Sequence, residues 1–216
     1  MAEDPWSAVD DFFAGHLLEA DPILDQALAA SHDAGLPSIN VAPNQGKMLH
    51  LMVRMAGARR VLEIGTLGAY STIWLARALP AGGQVVSLEA DPAHARVARA
   101  NIARAGLDGV IELHEGKALD ILPRLSGPFD FVFVDADKNN NPAYYEWALK
   151  LTRPGAVLVF DNVVRRGLLL DPRAEEKVLG NRRLAERLNG DSRVSATAIQ
   201  TVGAKGWDGF ILAVVN

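Results

Sequence analysis

The residues best equipped for chemistry stand where two apolar runs end. Phe129-Asp130-Phe131-Val132-Phe133-Val134 gives way to Asp135-Ala136-Asp137-Lys138, and Val157-Leu158-Val159-Phe160 gives way to Asp161-Asn162. Four consecutive apolar residues, all aromatic or β-branched, read as a strand buried on both faces. Open α/β sheets bind their ligands in the crevice beyond the carboxyl ends of such strands. Asp135, Asp161 and Asn162 together offer two carboxylates and an amide, with no His or Cys among them. That donor set suits a hard divalent cation such as Mg²⁺, with Ca²⁺ or Mn²⁺ as alternatives, which keeps water or substrate positions open. A plain polar turn is the competing reading of Asp161-Asn162, and the like ending of both strands favours the cation. Lys138, three residues after Asp135, is the candidate general base.

A second constellation is Val61-Leu62-Glu63-Ile64-Gly65-Thr66-Leu67-Gly68-Ala69-Tyr70-Ser71, a strand, a glycine turn and a helix start. Gly65 and Gly68 would let the backbone approach a ligand closely. Their Gly-x-x-Gly spacing lacks the Gly-x-Gly-x-x-Gly of a pyrophosphate cradle, and Glu63, expected to project from the strand end, would repel an anion. A cationic or neutral ligand is expected. Glu89 closes the following strand where such folds bind ribose, and one carboxylate can accept from two hydroxyls. Asp91 reads instead as the N-cap of a helix opening at Pro92.

The elements that must position these residues alternate. Strands are expected over 61–64, 84–89, 110–114, 129–135 and 156–161, with helices over 71–79, 92–105, 118–125 and 142–151 between them. Asp91-Pro92 and Asn141-Pro142 carry a cap-then-proline start. Three helices precede the first strand, at 4–18, 21–34 and about 44–56, the last two separated by a proline-containing extended connector. A polar helix over about 172–188 and two strands at 194–200 and 210–215, joined by a turn-rich stretch around Gly203 to Gly209, end the chain. This pattern means a Rossmann-like doubly wound α/β fold, with seven strands mostly parallel, helices on both faces and an antiparallel C-terminal edge.

At 216 residues and 49% apolar composition, one domain with one continuous core is expected, residues 1–56 covering the active site. Lys and Arg number 22 against 26 Asp and Glu, a net charge of −4 that gives no electrostatic case for a nucleic-acid or membrane partner. A small-molecule ligand is expected instead. The absence of cysteine excludes disulfides, thiolate metal sites and cysteine nucleophiles. No apolar run approaches the ~18 residues of a membrane span and Met1 to Asp11 has no apolar leader core, so a soluble cytoplasmic protein is expected. The five histidines, His16, His32, His50, His94 and His114, lack ligand spacing and read as structural. Arg165-Arg166-Gly167 and Trp207 fit the lip of a substrate pocket and an exposed loop tip equally.

Ile39-Asn40-Val41, Leu62-Glu63-Ile64-Gly65 with Gly68-Ala69-Tyr70-Ser71, Glu89 before Asp91, Gly116-Lys117-Ala118, Asp135-Ala136-Asp137-Lys138 and Asp161-Asn162 follow one another in an order that resembles one family. It is the class I S-adenosylmethionine methyltransferases that include catechol O-methyltransferase and caffeoyl-CoA O-methyltransferase-like enzymes. The resemblance covers roughly residues 39 to 162, with an echo at Asp208-Gly209. It implies cofactor contacts from Val41, Glu63, Gly65, Tyr70, Ser71, Glu89, Ala118 and Asp135, metal ligation by Asp135, Asp161 and Asn162, catalysis by Lys138 and Asp135, and a homodimer. Asp137 follows the caffeoyl-CoA-like branch, which weighs against a catecholamine. A bound cation would help one hydroxyl of a catechol-like diol ionise, and transfer would be in-line displacement at the sulfonium methyl. A free lysine is a poor base at neutral pH, but nearby positive charge disfavours its ammonium form.

Two alternatives stay open on sequence grounds. A nicotinamide-dependent oxidoreductase would share the fold class, although the glycine spacing and the 26-residue step from Glu63 to Glu89 argue against it. A catalytically silent adenosylmethionine-binding module would keep the fold without turnover.

Overall fold

A computed structural model of the chain describes residues 5–216. The expected helix start at Asp4 and the first four residues of the N-terminal reading lie outside the described residues. Three helices lead, α1 (Pro5–Leu17), α2 (Pro22–Asp33) and α3 (Pro43–Met55). Then come β1 (Arg60–Ile64), α4 (Tyr70–Ala76), β2 (Gln84–Glu89), α5 (Pro92–Arg104), β3 (Ile111–Glu115), α6 (Ala118–Ile121), β4 (Phe129–Val134), α7 (Asn141–Leu151) and β5 (Thr152–Phe160). α8 (Glu176–Leu188), β6 (Val194–Thr201) and β7 (Asp208–Val215) follow. Asp21 and Asp91 cap α2 and α5 by accepting from backbone N–H groups two and three residues on.

The sheet has seven strands in the order β3-β2-β1-β4-β5-β7-β6. β1 to β5 are mutually parallel, and β7 pairs antiparallel with both β5 and β6, giving the expected antiparallel edge. β4 explains its own composition. Phe131 and Phe133 enter the core under α3, α4 and α5, while Val132 and Val134 enter the one under α6 and α7. Each such buried apolar side chain contributes about 1.5–3 kcal/mol, which is why β4 is apolar from Phe131 to Val134. Winding reverses between β1 and β4, so the crevice at their carboxyl ends is the topological switch point.

Several boundaries differ from expectation: β5 starts at Thr152 rather than 156, α4 ends at Ala76 rather than 79 and β7 starts at Asp208 rather than 210. The stretch read as a helix from 118 to 125 breaks after Ile121 into a 3₁₀ turn at Leu122–Arg124, where Pro123 removes a backbone donor. The helix expected from about 172 starts at Glu176, and Arg165–Leu170 forms 3₁₀ turns interrupted by left-handed residues.

Candidate active site

The site is assembled by residues standing one place beyond the ends of three adjacent strands. Gly65 N–H donates to Leu88 O at 2.9 Å, Asp135 N–H to Ile64 O at 2.9 Å and Asp161 N–H to Val134 O at 3.0 Å. The ladder thus fixes the three backbones before any side chain acts. Gly65, at φ 101°, lies against the next strand end: a Cβ placed there would sit 2.3 Å from Asp135 O. No side chain fits. Gly68 has a different reason, since a Cβ there would meet Ser31 Oγ on α2, so its closeness serves packing rather than a ligand.

Glu89 accepts from Thr66 N–H at 3.2 Å, Leu67 N–H at 2.7 Å and Asp91 N–H at 2.9 Å. Those bonds pin the glycine turn to the end of β2 and leave carboxylate lone pairs for hydroxyls. Glu63 does not project as expected. It has no exposed surface and lies outside the cleft wall, accepting from Ser71 Oγ at 2.6 Å, Thr72 Oγ1 at 2.5 Å and Ser87 Oγ at 2.6 Å. Burial pushes its carboxyl up to about 7 against those three hydroxyls, and the charge of Asp135 adds to the rise. Its reach to the cleft runs through Ser71, which stands in the wall.

At the other end of the cleft Lys138 Nζ donates to Asp135 Oδ1 at 2.7 Å, and the lysine is only 6% exposed. That burial sets it apart from a solvated surface lysine. Asp161 is 3% exposed and sits just beneath the wall, accepting from Gln45 Nε2 at 2.6 Å and from Asn162 N–H at 2.8 Å. Burial, and then the charge of Asp135, push its carboxyl up to about 7 in spite of Lys138, Asn162 and Gln45. The charge of Asp135 thus opposes ionisation of Asp161, and a bound cation would offset it. Among the described residues no group of three or more His, Cys, Asp or Glu is arranged to hold a metal ion. The donors here are two carboxylates and the Asn162 amide, a set of hard oxygens that fits a small divalent ion.

Helix α8 braces this end. A Cβ on Gly180 would lie 2.1 Å from Lys138 O, so the helix packs directly on the lysine's turn. Buried Asn181 donates to Asn162 O at 2.9 Å and accepts from Asn141 Nδ2 at 2.7 Å. Asp137 is taken up by Tyr144 Oη and Asn140 Nδ2.

A cleft of about 980 Å³ runs across these groups, enough for two small molecules side by side. Its wall includes Val41, Gly65, Tyr70, Ser71, Glu89, Ala118, Asp135, Lys138 and Asn162. Of the sequence-derived residues, Glu63 and Asp161 stand behind that wall. His94, read as structural, also lines it, 3.6 Å from Glu89 Oε1. Arg165 is in the wall, whereas Trp207 packs over Gly167 instead. Gln45 and Asn181 escaped notice because their partners are remote in sequence and neither carries a motif.

A doubly wound sheet with a cleft at its switch point, an acid closing β2 and an acid–lysine pair beyond β4 defines a Rossmann-like methyltransferase fold. A family model described as O-methyltransferase matches residues 16–214. The chain is 53% identical over 209 residues to the catechol O-methyltransferase of Mycobacterium tuberculosis, covering 96% of this chain and 95% of that one. A solved O-methyltransferase from Bacillus cereus in complex with SAH superposes with a TM-score of 0.96 at 53% identity, covering 98% and 99% of the two chains. The O-methyltransferase TomG of Streptomyces achromogenes, in complex with SAM, gives 0.96 at 50% identity over 100% and 99%. This chain belongs to the S-adenosylmethionine-dependent O-methyltransferase family and is an enzyme of that class. The nicotinamide-dependent alternative falls.

Proposed function

We propose that the chain transfers the methyl group of S-adenosylmethionine to one hydroxyl of a catechol-like small molecule, with a divalent cation held by Asp135, Asp161 and Asn162. The observation that carries this reading is the Lys138–Asp135 pair, 2.7 Å apart in the cleft wall, with Asp161 near enough to feel Asp135's charge. The name of the Mycobacterium tuberculosis relative supports the acceptor class.

In this reading Glu89 receives the ribose hydroxyls, and Val41, Tyr70, Ser71 and Ala118 line the rest of the cofactor's path. Glu63 acts as a positioning residue, holding Ser71 and Ser87 by their hydroxyls. Mg²⁺ is the natural occupant of the oxygen set, with Ca²⁺ or Mn²⁺ able to substitute, and when bound it makes a neighbouring hydroxyl more acidic. The ammonium form of Lys138 would be disfavoured beside a cation and a sulfonium; its neutral Nζ would then take the hydroxyl proton while still donating to Asp135 Oδ1, which fixes its direction. Gln45 and Asn181 hold Asp161 and Asn162 so that the acceptor meets the methyl group in line; such positioning supplies much of the rate.

The test is methyl transfer to a panel of catechols with Mg²⁺ and with EDTA. Turnover that depends on the cation is expected; turnover of monophenols and catechols alike, indifferent to EDTA, would end the reading. It also carries with it a cytoplasmic homodimer. Among the described residues no helix is long and apolar enough to cross a membrane, and α1 buries none of its residues, leaving Phe12, Phe13 and Leu17 exposed. Light scattering that returned a monomer mass would refute the dimer.

A further inference from the structure

We infer that Arg165 selects the acceptor, and that the preferred acceptor is a catechol bearing a carboxylate; the inference rests on the catechol reading above. Arg165 stands in the cleft wall with Lys138 and Asn162, half-buried. Its guanidinium makes no hydrogen bond or salt bridge among the described residues, and its charge only assists Lys177 in holding the Glu175 carboxyl below the usual carboxylate range. The other charges at this end are committed. Lys138 holds Asp135, Asp137 accepts from Tyr144 and Asn140, and Lys177, also in the wall, is 2.6 Å from Glu175. A half-buried guanidinium with no carboxylate in hydrogen-bonding contact, Glu175 acting on it only from a distance, matches a planar carboxylate through two parallel N–H bonds.

The backbone points the same way. Arg165, Arg166 and Gly167 have φ of 53°, 55° and 80°, a left-handed run in which the two arginines are strained. Such strain persists where surroundings over-determine it. Asp208 Oδ1 accepts from Val164 N–H and Arg165 N–H, each at 3.0 Å, and Arg166 N–H donates to Trp207 O at 3.2 Å. The outcome divides the two arginines. Arg166 lies against Gly206, where an added Cβ would meet its Nη2 at 3.4 Å, and Arg165 is left to the cleft. A carboxylate on the far side of the catechol ring from its hydroxyls would complete Arg165, a neutral group would leave it unpaired and an ammonium would be repelled.

The experiment compares kcat/KM for 3,4-dihydroxybenzoate, 3,4-dihydroxybenzyl alcohol and 3,4-dihydroxybenzylamine in the wild type, R165Q and R165G, with S-adenosylmethionine and Mg²⁺. The wild type is expected to favour the benzoate over the amine by about tenfold or more. Both variants should lose about 10- to 100-fold on the benzoate and less than about threefold on the alcohol. R165G should melt at or above the wild-type temperature, because glycine takes this φ without strain, so its loss is not unfolding. Equal losses on all three acceptors, an unchanged benzoate rate in R165G, or no wild-type preference for the benzoate overturns the assignment. If the wild type methylates none of the three, the alcohol included, the catechol reading itself has failed and this inference falls with it.

Discussion

Replacing Gly65 by alanine puts one methyl group where two strand ends touch. The new Cβ would stand 2.3 Å from Asp135 O and 3.1 Å from Ala136 N, against an ordinary contact of at least 3.4 Å. Both obstacles are backbone, so the segment carrying Asp135 and Lys138 must move by about 1 Å, a displacement that can cost roughly 10²-fold in rate. The residue would also have to hold φ 101°. Strain and overpacking together cost about 2–5 kcal/mol, a fall in Tm of about 5–15 °C for a chain of this size. Gly106→Ala is the control, since Gly106 has φ 67° but no atom within 4 Å of an added Cβ. It should cost about 1–2 kcal/mol with kcat unchanged. Circular-dichroism melts and single-turnover methyl transfer below both melting temperatures separate the two effects. A Gly65→Ala enzyme with kcat within threefold of wild type would refute the claim that this contact sets the position of Asp135 and Lys138.

Other outcomes follow from the same geometry. Lys138→Ala should lower kcat by about 10²- to 10⁴-fold while calorimetry finds S-adenosylmethionine affinity intact; an unaffected kcat removes Lys138 from the mechanism. Asp161, raised to about 7 by burial and by Asp135, must give up its proton to hold a cation, so Mg²⁺ affinity should rise between about pH 6 and 8. Calorimetry of Asp161→Asn should find weak binding without that pH dependence, and a steep slope surviving in the variant would clear Asp161. Asp130 would be lifted by burial alone. The N–H groups of Arg59 and Arg60 and the Arg153 guanidinium outweigh burial and hold it below the usual carboxylate range. Its contribution is therefore present above its unfolded pKa and lost as pH falls through the lower folded value. Asp130→Asn should cost about 1–3 kcal/mol at neutral pH, and its Tm should approach that of the wild type in acid; parallel melting curves would refute this.

β4 could be read because both its faces are covered, so that burial leaves an unbroken apolar run with its chemistry at the end. Asp91 was legible as a cap because its partners, Ala93 and His94, are its own neighbours. What depends on distant chain was not. The direction of Glu63 is decided by Ser71, Thr72 and Ser87, and nothing in a strand's alternation says whether an acid at its end turns to the cleft or to hydroxyls behind it. Gln45 meets Asp161 across 116 residues. The conformation of Val164 to Arg166 has the same origin, for Asp208 and Trp207 hold those residues where local propensity would not.

Asp208 has a consequence for how new specificities could be made. It clasps the root of the segment after β5, and Val163 N–H donates to Gly209 O at 3.0 Å beside it, while Leu168 and Leu170 stand out in solvent. Sheet and segment are thus joined at one short seam at the start of β7, so if Arg165 chooses the acceptor as inferred above, a graft of residues 165–170 that leaves Asp208 in place should retune which molecule is accepted without re-engineering the machinery that methylates it.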